Sequence, residues 1–232
     1  VMYIWQAGEE GGSAAADLVS GIVPPSGKLT DTIASDYSKY PSSASFAGVD
    51  EMIYGEDIFV GYRYFETFDK DSVIYPFGYG ITYTTFDLKC IEAKKNNNLL
   101  EIVCNVKNTG EYERREVVQV YAEGKGGKLC RPARELIGFA KTKTLSAGES
   151  TKIELKIDIS KTASYDDEGE TGFKSAWVIE NGEYNIYVGN NVRSAEKVLT
   201  YNIADTVIAE QCSQRMTPHK SFKRFINDNG TL

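Results

Sequence analysis

The chain has 232 residues, 41% hydrophobic and 25% charged, a globular balance long enough for one domain and part of another. A net charge of −7 offers no basic face to nucleic acid or to an anionic membrane surface. No apolar run reaches the roughly 20 residues of a bilayer-spanning helix, and no basic segment precedes Val1–Trp5, which therefore does not read as a signal peptide.

The run Val1-Met2-Tyr3-Ile4-Trp5 is continuous in apolar character and predicts a strand buried on both faces, the habit of parallel sheets. Residues 9–20 follow as a predicted helix. Ala14, Ala15 and Ala16 allow close packing, Leu18 and Val19 add apolar contact, Gly21 sits where a C′ glycine belongs, and Pro24-Pro25 forbid continuation. A strand feeding a helix is half of a parallel α/β unit, and no second such pattern follows, so the opening is expected to be a fragment of a larger sheet.

Residues 24–48 are rich in Pro, Ser, Thr and Gly and predict a surface connection. Residues 53–68 are dense in aromatics, and Tyr75-Pro76-Phe77-Gly78-Tyr79-Gly80 predicts a tight turn under a packed lid. After Tyr83 the pattern becomes period two. Phe86, Leu88 and Cys90 alternate with polar residues, as do Leu100, Ile102, Cys104 and Val106. Further short runs fall at 117–121, 136–139, 153–159, 176–179, 184–188 and 198–203, separated by turn-forming Asn, Gly and Ser clusters. About seven or eight strands at this spacing predict an antiparallel β-sandwich. The polar segment 205–232, broken by Pro218, reads as linker or tail.

Cys90, Cys104, Cys130 and Cys212 show no CxxC spacing, which argues against a zinc site. Cys90 and Cys104 are placed to face one another across a hairpin. Direct cross-strand disulfides are geometrically awkward, so packed thiols are the expectation, and with them a reducing, cytoplasmic compartment.

The blocks Trp5-Gln6-Ala7-Gly8-Glu9-Glu10-Gly11-Gly12, Pro25-Ser26-Gly27-Lys28-Leu29, residues 54–65 and residues 75–86 resemble, in that order, the end of a glycoside hydrolase family 3 enzyme. Asn108-Thr109-Gly110, Val118-Gln119-Val120-Tyr121, residues 134–141, Gly148-Glu149 and Gly182-Glu183-Tyr184 continue the series through about residue 204. One departure is Leu29-Thr30-Asp31-Thr32, where the family usually has Leu-Pro before the threonine. The resemblance implies an α/β fragment followed by an all-β antiparallel immunoglobulin-like (fibronectin type III-like) sandwich. The expected division is 1–82 for the C-terminal portion of an α/β-sandwich domain, 83–204 for the β-sandwich and 205–232 for the linker or tail.

It further implies a parent β-glucosidase that cleaves terminal β-D-glucosidic bonds with retention through two carboxylates. The aspartate nucleophile belongs to a (β/α)8 barrel and a glutamate acid/base lies ahead of the Trp-Gln-Ala-Gly motif, so both fall outside these residues. Catalytic, cofactor-binding and metal residues are accordingly each expected to be none. Expected partners are the barrel and the remainder of the α/β domain, a small saccharide or glucoside, and possible second copies of the chain, but neither nucleic acid nor membrane. A β-xylosidase parent, a stand-alone carbohydrate-binding or adhesion module and a structural subunit are the alternatives. Some family members place the barrel after the sandwich, and Phe222-Lys223-Arg224-Phe225 is a candidate lead into it.

Several residues invite a functional reading and each has a plainer one. Glu9 and Glu10 follow a predicted strand end, where α/β sheets place ligands, but acidic residues also suit a helix's first turn. Glu56 and Asp57 are a tempting carboxylate pair, yet adjacent strand residues point to opposite faces. Arg63 reads as a buried arginine paired with an acid and stacked on aromatics. Tyr75, Phe77, Tyr79 and Tyr83 read as an interdomain core before a sugar platform. His219 is the single histidine, and Asn229-Gly230-Thr231 fits a glycosylation pattern. No stacking strip is evident on the strands, so glucan affinity tighter than ~1 mM is not expected. Residues 1–80 are predicted to need a partner, with proteolysis falling within 24–48 and a protected core beginning near Tyr75.

Overall fold

The computed structural model describes residues 2–48, 50–215, 220 and 224. Met2–Trp5 carry no strand and stay exposed. The buried strand read from this run is not formed: among the described residues no strand takes its amides and carbonyls. Helix α1 (Gly11–Ser20) begins two positions later than expected and stops at Gly21, whose φ of 81° is the left-handed conformation that glycine adopts at little cost. No residue of α1 is buried.

The 24–48 segment holds more structure than a loose connection. Strand β1 (Ile33–Ala34) pairs antiparallel with β2 (Val73–Tyr75), and two 3₁₀ turns cover Tyr37–Lys39 and Pro41–Ala44. The Tyr40 hydroxyl donates to the Thr32 carbonyl at 2.9 Å and accepts from the Ala34 amide at 3.0 Å. Between these strands the aromatic block forms helix α2 (Tyr62–Phe68). Ala34, Phe59, Tyr64 and Phe65 make its small core, and Tyr40 meets Phe65 edge to face at 5.4 Å.

Every strand beyond this point pairs antiparallel. Strands β3 (Phe86–Asn96) and β4 (Leu99–Asn108) form a hairpin whose turn carries Asn97 at φ 52°. Then come β5 (Val117–Lys125), β6 (Glu135–Lys141), β7 (Ser150–Asp158), β8 (Ser164–Asp166), β9 (Ala176–Ile179), β10 (Gly182–Gly189), β11 (Glu196–Ile203) and β12 (Val207–Gln211). A three-stranded sheet, β3-β4-β7, faces a four-stranded one, β11-β10-β5-β6. The period-two pattern of β4 sends Leu100, Ile102, Cys104 and Val106 into the shared core, against Val118, Val120, Ile186 and Val188 of the opposite sheet.

The core's end is closed by Asn108, wholly buried, which donates to the Tyr112 and Leu145 carbonyls and accepts from the Gly110 amide and the Thr84 hydroxyl. Four bonds to three turns explain the Asn-Thr-Gly signature: a buried amide is tolerated when each polar atom is engaged.

Within the segment read as linker or tail, residues 207–211 form strand β12. It pairs with β9 and completes a third sheet, β12-β9-β8, beside the sandwich. Its five residues are all exposed, so no alternation marks them in the sequence. His219, Asn229 and the 222–225 lead, Arg224 apart, lie outside the described residues.

Candidate functional site: a seam and an open apolar face

The first 83 residues meet the sandwich along a built seam. Lys28 Nζ lies 2.7 Å from Glu116 Oε1, Lys141 Nζ donates to the Ser26 carbonyl and hydroxyl, and Arg114 Nε donates to the Pro25 carbonyl and Thr82 Oγ1. From α2, Tyr62 accepts the Leu136 amide and Thr67 the Ala133 amide, while Glu66 Oε1 receives Arg193 Nε at 2.8 Å. The apolar centre is Tyr121, fully buried on the outer face of β5, with Tyr62 and Phe77 against it. Burial pushes the Tyr121 phenol well above its ordinary titration range, aided by Tyr62 and Glu66. Gly78 sits at a close approach between the two parts. Its φ is 81°, and a Cβ there would lie 2.4 Å from the Gln119 side chain and 2.9 Å from the Asn191 backbone, a place only glycine fits.

Away from the seam the same segment is apolar and open. Trp5 is 58% exposed, Ile22 74%, Phe46 65% and Tyr54 70%. With Tyr3, Val19, Ile53 and Ile74 they account for much of the exposed large hydrophobic surface among the described residues. These exposed apolar side chains are the segment's candidates for an interaction surface.

The candidate residues separate rather than converge. Glu10 occupies the N-cap position of α1 without a side-chain bond, and Glu9 precedes it, both exposed; neither stands in the first turn. Glu56 and Asp57 lie in a turn, not on a strand. Glu56 is 6% exposed with Oε2 unbonded among the described residues, whereas Asp57 (φ 52°) is exposed and 3.4 Å from Arg224. Arg63 is half-buried, its Nε 3.9 Å from Glu135 Oε1. Burial raises Glu135, opposed by Arg63 and Arg131.

Of the four turn aromatics only Phe77 enters the interdomain core. Tyr75 and Tyr79 meet each other at 5.2 Å with ring planes tilted by 37°, and the Tyr83 hydroxyl donates to the Leu18 carbonyl of α1. A shallow depression of ≈350 Å³ lies beside Tyr83, lined by Thr82, Thr84, Thr85, Gly110, Glu111 and Tyr112. Glu111 is its one carboxylate, and retaining glycoside hydrolysis needs two.

Cys90 and Cys104 are register partners on β3 and β4, as the hairpin reading places them, and both remain thiols. Burial, with Cys90 alongside, pushes Cys104 up to about 12, so neither nucleophilic nor metal-binding thiolate is present there at neutral pH. Among the described residues no group of three or more His, Cys, Asp or Glu is placed to hold a metal, and no helix is long and apolar enough to cross a membrane. The sequence reading missed Arg114, Lys28, Glu116, Tyr121 and Arg193 as seam residues. Nothing local distinguishes an interdomain ion pair from a solvated charge.

Residues 1–83 match the model of the glycosyl hydrolase family 3 C-terminal domain, and residues 116–192 that of a fibronectin type III-like domain. A β-glucosidase of Ruminococcus albus is 46% identical over 226 residues, covering 97% of this chain and 24% of that protein. An exo-α-(1→6)-L-arabinopyranosidase of Bifidobacterium longum is 37% identical over 209 residues, covering 89% of this chain and 26% of that protein. The crystal structure of a β-glucosidase from Paenibacillus barengoltzii superposes with a TM-score of 0.90 at 45% identity, over 98% of this chain and 26% of that one. The chain thus spans about a quarter of the length of these relatives.

Proposed function

We propose that this chain, which belongs to glycoside hydrolase family 3, is the accessory part of an enzyme that hydrolyses terminal β-D-glucosidic bonds with retention. The observation that carries the reading is the 46% identity to a β-glucosidase over 226 residues, 97% of this chain, which takes in both the α/β segment and the sandwich. In this reading the two catalytic carboxylates come from outside these residues, and the open face around Trp5, Ile22 and Tyr54 receives the barrel and the rest of the α/β domain. The chain's own work is positional. The seam fixes residues 25–34 and 59–82 on a rigid sandwich, and those residues present the exposed α1 and the 46–58 segment to the catalytic part. A small saccharide is the substrate, and the thiols of Cys90 and Cys104 suit a reducing cytoplasm.

The test is turnover of nitrophenyl β-D-glucoside by the 232-residue chain and by the full-length enzyme. We expect none from the chain and retaining hydrolysis from the enzyme. Activity in the chain that is abolished by a carboxylate substitution within it would overturn the accessory role. The identity to an arabinopyranosidase supports a second reading, a pentopyranoside-cleaving parent. The nitrophenyl β-xyloside and α-L-arabinopyranoside, run beside the glucoside, rank the substrates by kcat/KM.

A further inference from the structure

We infer that the small third sheet carries a binding site for a neutral oligosaccharide, centred on Tyr165 and Trp177. The two residues are register partners on β8 and β9, and Glu210 of β12 lies opposite Trp177 on its other side. Cross-strand partners share a face, so phenol and indole stand in one row; the register shifts between Ile208 and Glu210, and Glu210 borders that row from β12. Tyr165 is 38% and Trp177 42% exposed, although their strand neighbours Asp166, Ala176 and Val178 are wholly buried. The ring centres are 5.4 Å apart with planes inclined by 56°, which makes a shallow trough rather than a flat platform.

The row's chemistry selects its occupant. Strands stand about 4.8 Å apart, so the row spans roughly two linked pyranose rings. A sugar presents an apolar C–H face to an aromatic ring and hydroxyls at its edge, which the Glu210 carboxylate can accept. A stacked nucleobase would need a basic groove for its phosphates. Here the adjoining loop carries Asp167, Glu168 and Glu170 beside Lys174, Lys128 Nζ donates to the Glu170 carbonyl, and Arg224 is already paired with Asp57 and Asp167. With no basic surplus, the surface suits an uncharged chain of sugars. The loop is also held in shape: the buried Asp166 accepts the amides of Gly169, Glu170 and Thr171 and the Thr171 hydroxyl. Tyr165 and Trp177 stand on either side of that loop in the sequence, and only the β8–β9 register joins them.

The choice of glucose oligomers as first probes rests on the proposed function; the site itself does not. The chain has two tryptophans, so Trp5→Phe leaves Trp177 as the sole indole and its fluorescence as the readout. Cellopentaose, laminaripentaose and xylopentaose are titrated in turn. The Tyr165–Trp177 pair replaces the expectation, read from the sequence, of no stacking strip and no glucan affinity tighter than ~1 mM: we expect saturable change with a Kd of about 1 mM or tighter for at least one of them. The affinity should fall tenfold or more in Tyr165→Ala, measured in the same background. In the full-length enzyme, retardation in a gel containing the soluble polymer of whichever pentaose binds should be lost in Trp177→Ala, with nitrophenyl glycoside turnover and thermal midpoint unchanged. Failure of all three sugars to perturb Trp177, unchanged affinity in Tyr165→Ala, or unchanged retardation in Trp177→Ala would each overturn the site. Binding of xylopentaose alone would uphold the site while counting against a glucoside-cleaving parent, so the two readings fail separately.

Discussion

Asp166 shows how one side chain sets a surface. Burial alone opposes its ionisation, but the hydroxyl and amide of Thr171 and the amides of Gly169 and Glu170 outweigh it and hold the carboxyl below its usual value. A carboxyl that titrates lower when folded than when unfolded contributes stability that is fully present above the unfolded value of about 3.9. That contribution is lost as the pH falls through the folded value. Asp166→Asn keeps the shape while weakening the charge-assisted bonds, and Asp166→Ala leaves three amides without their acceptor, a cost of about 2–3 kcal/mol. Thermal unfolding at pH 7 should therefore separate wild type from Asp166→Asn by several degrees, and the gap should narrow as the pH falls below the unfolded value of about 3.9. A gap that stayed constant with pH would show that the carboxylate's charge contributes nothing.

At the scale of elements, protection divides differently from sequence texture. The Pro- and Ser-rich 24–48 stretch suggests a protease-sensitive loop, yet Pro25, Ser26 and Lys28 bond to the sandwich, and Thr32 and Ala34 are buried. Limited digestion by a Glu-specific protease should cut at Glu9, Glu10 or Glu51, all exposed. A chain nicked at Glu51 should still migrate as one body, because α2 and the 25–34 segment each hold the sandwich independently. Dissociation of the nicked pieces in native gels, or a first cut between residues 24 and 34 by a broader protease, would contradict the seam. The sandwich strands were legible in the sequence because β4 and its neighbours bury every second residue, and Gly21 because a helix end has local chemistry. The seam was not, since Arg193 and Glu66 look like any surface charges until the register of distant strands joins them. Strand β12 was missed because exposure on both faces leaves no alternation to read. Met2–Trp5 failed in the opposite sense: apolar composition predicts burial, and burial needs neighbours.

For the whole molecule, the open apolar face predicts association. The isolated chain should show a concentration-dependent sedimentation coefficient, reduced when Ile22 and Tyr54 are changed to serine, while the full-length enzyme should be insensitive to those concentrations. A strictly monomeric isolated chain would remove the docking role of that face. The seam has another consequence, one of timing. Glu66 and its partner Arg193 are 127 positions apart, and ribosomes add roughly 5–20 residues per second. Glu66 and the α2 aromatics around it thus wait about 6–25 s at that pace before the last strands that hold them have been made. During synthesis the first segment lacks these anchors, and the speed of translation through β5 to β10 sets for how long.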